Sequence, residues 1–474
     1  MKNVNVKLPD DPLNGSSIEE LGSKLRNGSI TCFELTEIYY KRINILNSHL
    51  HAYIHINEEK ALSWADGIDK LIKCGVDLGP LMGIPIAIKD ICSVKGMPTT
   101  NGSQIISDDI TGPEGSLVKT LKSLGCVILG KTHTVEFALG ATGLNKHRGT
   151  PRNPWDEKVH RMPGGSSSGS AVAVASGLAA FAIGTDTGGS VRIPASLNGI
   201  IGLKTTKNRW PTDGIFPLSP TLDTPGPIAR SVKDTKLIFD TYNNTNNYKK
   251  SLDIKNLSFG KLKEPFTLDL DPEVSEAYEN ICKELENKGA IIEEIAIPEA
   301  NEKTTLFPKI VGSEIISAFG IDRFKNNVDK MDPVTGNRAK LGLDVSSHDY
   351  IRAKQRVLEL EKLANKYFHK YDALLSPTTV MLPLDVSKAE IGKELHERSL
   401  LASANTQPVN IFGICGITYP IQKFVKKNIN SFLPIGLQII CNKNDDEKAV
   451  EIALALENEF GEPDLPAVDK FLCC

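Results

Sequence analysis

Two serines in separate glycine-rich turns, and one lysine closing an apolar run, are the residues whose types and spacing could do chemistry in this chain. The turns are PGGSSSGS at 163–170 and DTGGSVRIPA at 186–195, and the lysine is Lys89 in LMGIPIAIKDICSVKG. A serine hydroxyl is a weak nucleophile that needs a base within hydrogen-bond reach. None of the nine histidines lies in either turn, the nearest being His160. A Ser–Lys arrangement is the economical source of that base.

Glycine and serine disfavour a helix interior, so 163–170 reads as a loop with free backbone N–H groups. The run AVAVASGLAAFAIG at 171–184 is almost wholly apolar, which predicts a helix buried between layers. A loop emptying into a helix N-terminus favours developing negative charge. Gly188 and Gly189 repeat the device before Ser190, making the N–H groups of Thr187, Gly188, Gly189 and Ser190 candidate oxyanion donors. A flexible linker does not fit, because an apolar stretch and a second Gly-Gly-Ser turn follow. A phosphate loop does not fit either, since this segment holds neither G-x-x-x-x-G-K-[ST] nor G-x-G-x-x-G. Lys89 is predicted to end a buried strand, where desolvation lowers its pKa toward the range of a neutral amine.

With these residues the segment resembles the signature of the amidase signature family of serine hydrolases. The resemblance implies Ser190 of D-x-G-G-S as nucleophile, Ser166 as bridging serine after a cis Gly165–Ser166 bond, and Lys89 as base. Blocks at 131–156, 213–232, 374–379 and 433–440 are also similar to family segments, so the likeness covers nearly the whole chain. Ser168 stands where many members have glycine. The implied fold is α/β, a large mixed twisted sheet of about eleven strands covered by helices on both faces.

The expected activity is hydrolysis of a carboxamide or acyl-urea C–N bond of a small molecule through a serine acyl-enzyme, releasing ammonia or an amine. The alternatives are the glutamine-hydrolysing component of a tRNA-dependent amidotransferase complex, or a partner-dependent or non-catalytic chain. Ile193, where that glutamine-hydrolysing component carries glutamine, and LGATGL at 139–144 depart from the amidotransferase pattern. Family placement makes Gly140, Ala141 and Thr142 candidate substrate contacts, with Asn145 and the helical residues around Phe307 to Phe319. Asp186 with Arg192 reads as an ion pair supporting the nucleophile loop, and Asp90 as a support for the loop after Lys89.

Bulk properties agree with a large enzyme. Net charge is −3 with 24% charged residues, giving no basic field for nucleic acid. No apolar run reaches the roughly 18 to 20 residues of a membrane span, and the polar N-terminus lacks a signal-peptide core. A cytoplasmic protein is expected, with a small-molecule amide as partner and homodimerisation left open. The nine cysteines show no CxxC pair, so no metal and no cofactor is implied, and Cys473–Cys474 reads as a frayed tail.

The positioning elements are legible in outline. Ser16 with Glu19, and Thr31 with Glu34, read as capping boxes of two N-terminal helices, the second reaching toward Asn47. Strand-like PIAIKDI, CVILGK and the run around IIGLKT alternate with helical stretches such as 116–125. From about 250 to 400 the sequence turns Lys/Glu-rich and helical. One domain over 1–474 is expected, its signature core at about 60–235 and a helical excursion at about 250–400 shaping the substrate mouth.

Overall fold

The computed structural model describes residues 7–245, 252–389, 400–426 and 432–472, so Cys473 and Cys474 lie outside the described residues. Eleven strands form one sheet: β1 (Tyr53–Ile56), β2 (Pro85–Lys89), β3 (Val127–Thr132), β4 (Phe181–Asp186), β5 (Ile201–Lys204), β6 (Thr224–Ala229), β7 (Ser258–Leu262), β8 (Ile291–Ile295), β9 (Ala373–Pro377), β10 (Cys415–Pro420) and β11 (Gly436–Cys441). Their order is β1-β3-β2-β4-β6-β5-β10-β11-β9-β7-β8. Pairing is mixed: β2 runs parallel to β3 and β4, whereas β10 is antiparallel to both β5 and β11. The architecture is the α/β one expected.

Strands inside the sheet are buried on both faces, as β2, β3 and β4 show along their whole length. That explains their continuous apolar sequences, since helices cover the sheet and no alternation is required. Three strands, β7, β8 and β9, come from the charged segment after residue 250, which therefore builds one edge of the sheet as well as helices. No alternating period marks β8 or β9, because β8 is an edge strand with no buried position and β9 is buried along its whole length.

Local expectations resolve in two ways. Thr31 and Glu34 cap Cys32–Leu50 with both halves of the capping box present. The first box is Ser17 with Glu20, one residue beyond the expected Ser16 and Glu19. Burial of Ile18, Leu21 and Leu25 sets that register, and Ser16 donates its hydroxyl to the Glu20 carboxylate from outside.

The single helix expected over 171–184 is two elements, a helix at Ser168–Ala175 and then strand β4. Gly177, at φ +67°, turns the chain between them. An apolar run buried on all sides reads alike as helix or strand, and only the glycine marks the break. Because the helix begins at Ser168, the preceding loop is shorter than the expected 163–170.

Candidate active site

Lys89 ends β2, the third strand from one edge of the sheet, with no solvent exposure. Its ammonium nitrogen donates to Ser166 Oγ at 2.7 Å and to Thr185 Oγ1 at 2.9 Å. Among the described residues no carboxylate pairs with it, and desolvation lowers its pKa to about 7, against the raising influence of Cys92, Asp186 and Asp223. A lysine so placed is available as a neutral amine near neutral pH. Thr185, which no sequence signal marked, lies near the end of β4, the strand that runs parallel beside β2.

The two serine turns are stitched together. Ser167 donates its N–H to the carbonyl of Ser190 at 3.2 Å, and its hydroxyl donates to the Thr185 carbonyl. The Gly165–Ser166 peptide is cis. Gly165 and Gly164 donate to the carbonyls of Ala141 and Thr142, tying the bridging-serine loop to the 140–142 segment. Ser166 is fully buried, whereas Ser190 keeps 7% exposure and lines a small cleft. Among the described residues the Ser190 hydroxyl has no hydrogen-bond partner, and Ser166 Oγ is engaged by Lys89.

Asp186 organises the second turn. Its carboxylate accepts the N–H of Gly189 at 2.7 Å, of Val191 at 3.1 Å and of Arg192 at 3.4 Å. Arg192 Nε donates to Asp186 at 3.0 Å and Nη2 at 2.9 Å, both side chains being fully buried. Desolvation pushes the Asp186 carboxyl up, but the Arg192 guanidinium and its hydrogen bonds hold it well below the usual carboxylate range. The Gly189 N–H expected as an oxyanion donor is thus engaged by Asp186. The N–H groups of Thr187, Gly188 and Ser190 have no acceptor among the described residues. Gly189 sits at φ +124°, where a Cβ would collide with Thr406 Oγ1, so this turn requires glycine.

Asp90 does support its loop: it accepts Lys131 Nζ at 2.9 Å and both the N–H and the hydroxyl of Thr100. Of the expected substrate contacts, Gly140 and Ala141 line the cleft with Ser190, whereas Thr142 does not. Asn145 is consumed by its own loop, donating to the carbonyls of Gly102 and Thr134 and accepting the N–H of His147 and Arg148. Phe307 lines the cleft, but Phe319 packs against Phe137 and Phe216.

Arg338, Ser403 and Gln407 reach the cleft from segments in which no sequence signal marked them. A second cavity of about 610 Å³ shares Leu139, Phe307, Arg338 and Gln407 with it. Arg338 is partly buried, and no acid pairs with it among the described residues. Desolvation lowers its pKa to about 10. Among the described residues no group of three or more His, Cys, Asp or Glu is placed to hold a metal ion.

A profile of the family described as Amidase matches residues 34–450. The 2-amino-5-chloromuconic acid deaminase of Comamonas testosteroni is 35% identical, over 95% of this chain and 99% of its own length. A component of the glutamyl-tRNA(Gln) amidotransferase of Bdellovibrio bacteriovorus is 32% identical, over 93% of this chain and 96% of its own length. A solved amidase structure superposes with a TM-score of 0.84 at 28% identity, covering 94% of this chain and 99% of that one. With a buried lysine on a serine, a second serine beside them, and a match along nearly its whole length, the chain belongs to the amidase family and is a hydrolase of amide C–N bonds.

Proposed function

We propose that this chain hydrolyses the amide of a small acidic molecule, one whose carboxylate pairs with Arg338. The observation that carries this reading is an arginine, unpaired with any acid among the described residues, on the wall of the cleft that holds Ser190. A desolvated guanidinium beside a reaction centre is a fork for a planar anion. The adjoining cavity of about 610 Å³ leaves room for an apolar body, with Phe307 and Leu139 on its wall. The relative from Comamonas testosteroni carries an acid in its name, which agrees with an anionic substrate.

In this reading neutral Lys89 takes the Ser166 proton while Ser166 takes that of Ser190, whose Oγ attacks the amide carbon. For this the Ser190 hydroxyl turns toward Ser166 as substrate enters, because such hydrogen bonds tighten on binding. The N–H groups of Thr187, Gly188 and Ser190 receive the oxyanion. Collapse breaks the C–N bond, the proton returns through Ser166 to the departing nitrogen, and water hydrolyses the Ser190 ester.

Glutamine is the second substrate reading, favoured by the similarity to the amidotransferase component and compatible with Arg338, since glutamine also carries a carboxylate. Ile193 on the cleft wall is where the sequence departs from that branch. We place the enzyme in the cytoplasm, since Cys32, Cys74, Cys92, Cys126, Cys282, Cys415 and Cys441 are all free thiols. Homodimerisation stays a proposal to be read from solution mass.

The test is ammonia release from paired amides with and without a carboxylate, glutamine included, by wild type, Arg338→Ala and Arg338→Lys. Arg338→Ala should raise KM for the acidic amides about tenfold or more and leave neutral amides unchanged, consistent with loss of one charge-assisted contact. Equal KM for both classes in wild type would overturn the anionic reading.

A further inference from the structure

We propose that Asp223 is a positioning residue for the reaction: through the Thr187 hydroxyl it fixes the turn whose backbone N–H groups receive the oxyanion. The proposal deepens the mechanism above and rests on it for the role of Thr187 and Gly188.

Thr187 and Gly188 line the cleft with Ser190, just past the end of β4. The last ladder pair of that edge is Asp186 with Thr224, so beyond it the turn has no sheet partner to hold it. Asp186 grips the far side of the turn through Gly189, Val191 and Arg192, and leaves Thr187 and Gly188 untouched. What holds Thr187 is Asp223, whose Oδ1 accepts the Thr187 hydroxyl at 2.5 Å, while the Thr406 hydroxyl donates to the Gly188 carbonyl at 2.7 Å.

Asp223 is itself clamped. Its Oδ2 accepts the Ser219 N–H at 2.8 Å, and its own N–H donates to the Ser219 carbonyl at 2.8 Å. The 219–221 segment is anchored from behind by buried Glu314, which accepts the Ser219 hydroxyl at 2.5 Å, the Thr221 N–H at 3.1 Å and the Thr221 hydroxyl. Tyr350 donates to Glu314 at 2.7 Å, and Lys354 lies 3.6 Å away. Glu314 belongs to the helix Lys303–Phe319, which also supplies Phe307 to the cleft. A continuous set of hydrogen bonds therefore runs from a cleft-lining helix to Thr187. Burial raises the Asp223 carboxyl to about 7 against the lowering hydrogen bonds from Thr187 and Ser219, with Glu314 adding to the rise and Lys89 opposing it.

A hydroxyl-to-carboxylate bond that serves only the fold would influence stability and leave turnover alone. One that sets oxyanion donors acts on the transition state and lowers kcat with KM unmoved. The experiment measures kcat, KM and Tm for Thr187→Val, Thr187→Ser, Asp223→Asn, the double variant Thr187→Val/Asp223→Asn and Ser190→Ala on the best acidic amide.

The expected result is a kcat about tenfold or more below wild type for Thr187→Val and Asp223→Asn, with KM within about twofold. Thr187→Ser should restore the rate, and the double variant should be no slower than the worse single one, because both remove the same contact. Wild-type kcat in Thr187→Val, or a loss carried by KM, would overturn the proposal even if Asp223→Asn failed to fold. Turnover surviving in Ser190→Ala would instead overturn the mechanism on which it rests.

Discussion

Ser167 gives its N–H to the carbonyl of Ser190 at 3.2 Å, and this bond ties the two glycine-rich turns together. Because Ser166 precedes the donor directly, Lys89, Ser166 and Ser190 are brought together by backbone as well as by side chains. The Lys89 nitrogen completes the link at 2.7 Å from Ser166 Oγ.

Removing a member of this set should stop the chemistry and leave binding largely intact. Ser190→Ala and Lys89→Ala are each expected to lower kcat at least about a thousandfold. Lys89→Ala combined with Ser190→Ala should be little worse than either alone, because the residues act as a unit. Single-turnover product release measures this, and substantial activity in Ser190→Ala would remove serine catalysis from the account.

The acidic side of the pH profile should report Lys89. A neutral amine is required to take the Ser166 proton, and desolvation lowers the Lys89 pKa to about 7. Protonation as the pH falls therefore removes the base. Activity should rise through about pH 7 and level above it, as read from kcat/KM across about pH 5 to 9. A limb unaffected by Lys89→Arg, in a variant retaining turnover, would assign the titration to another group.

Breaking the buried ion pair should cost stability before it costs chemistry. Arg192→Leu would leave Asp186 charged with no counter-ion in a fully buried site, while Gln438 and Asn410 lose their donor as well. A loss of about 3 to 5 kcal/mol in urea unfolding is expected. A change below about 1 kcal/mol would show that the remaining hydrogen bonds to Asp186 suffice.

Gly189→Ala should abolish activity with only a moderate drop in Tm. The added methyl runs into Thr406 Oγ1 and the φ of +124° opposes it, so the turn must move, and Ser190 with it. Ammonia release and a thermal melt on the same preparation separate the two effects. Near-normal turnover would mean that Thr406 yields and the turn stays.

Much of this was legible in the sequence. Glycines flanking Ser166 and Ser190, together with an apolar run ending in Lys89, marked the residues of the proposed mechanism, because a nucleophile turn needs free backbone and a buried strand end needs apolar neighbours. Thr31 with Glu34 likewise fixed a helix start through short-range hydrogen bonds. The sequence did not separate the helix Ser168–Ala175 from β4, since burial on every side erases periodicity. Arg338 and Gln407 could not be read at all, and Asp223 and Glu314 fell inside segments the sequence singled out without a role of their own. Arg338 and Gln407 lie far along the chain from Ser190 and share its cleft only through the tertiary fold, in which strands after residue 250 join the same sheet. A charged side chain in a polar stretch carries no mark of the partner it lacks. Whether Arg338 is solvated or stands unpaired on a cavity wall is decided by the tertiary structure, which sets both its desolvation and its neighbours.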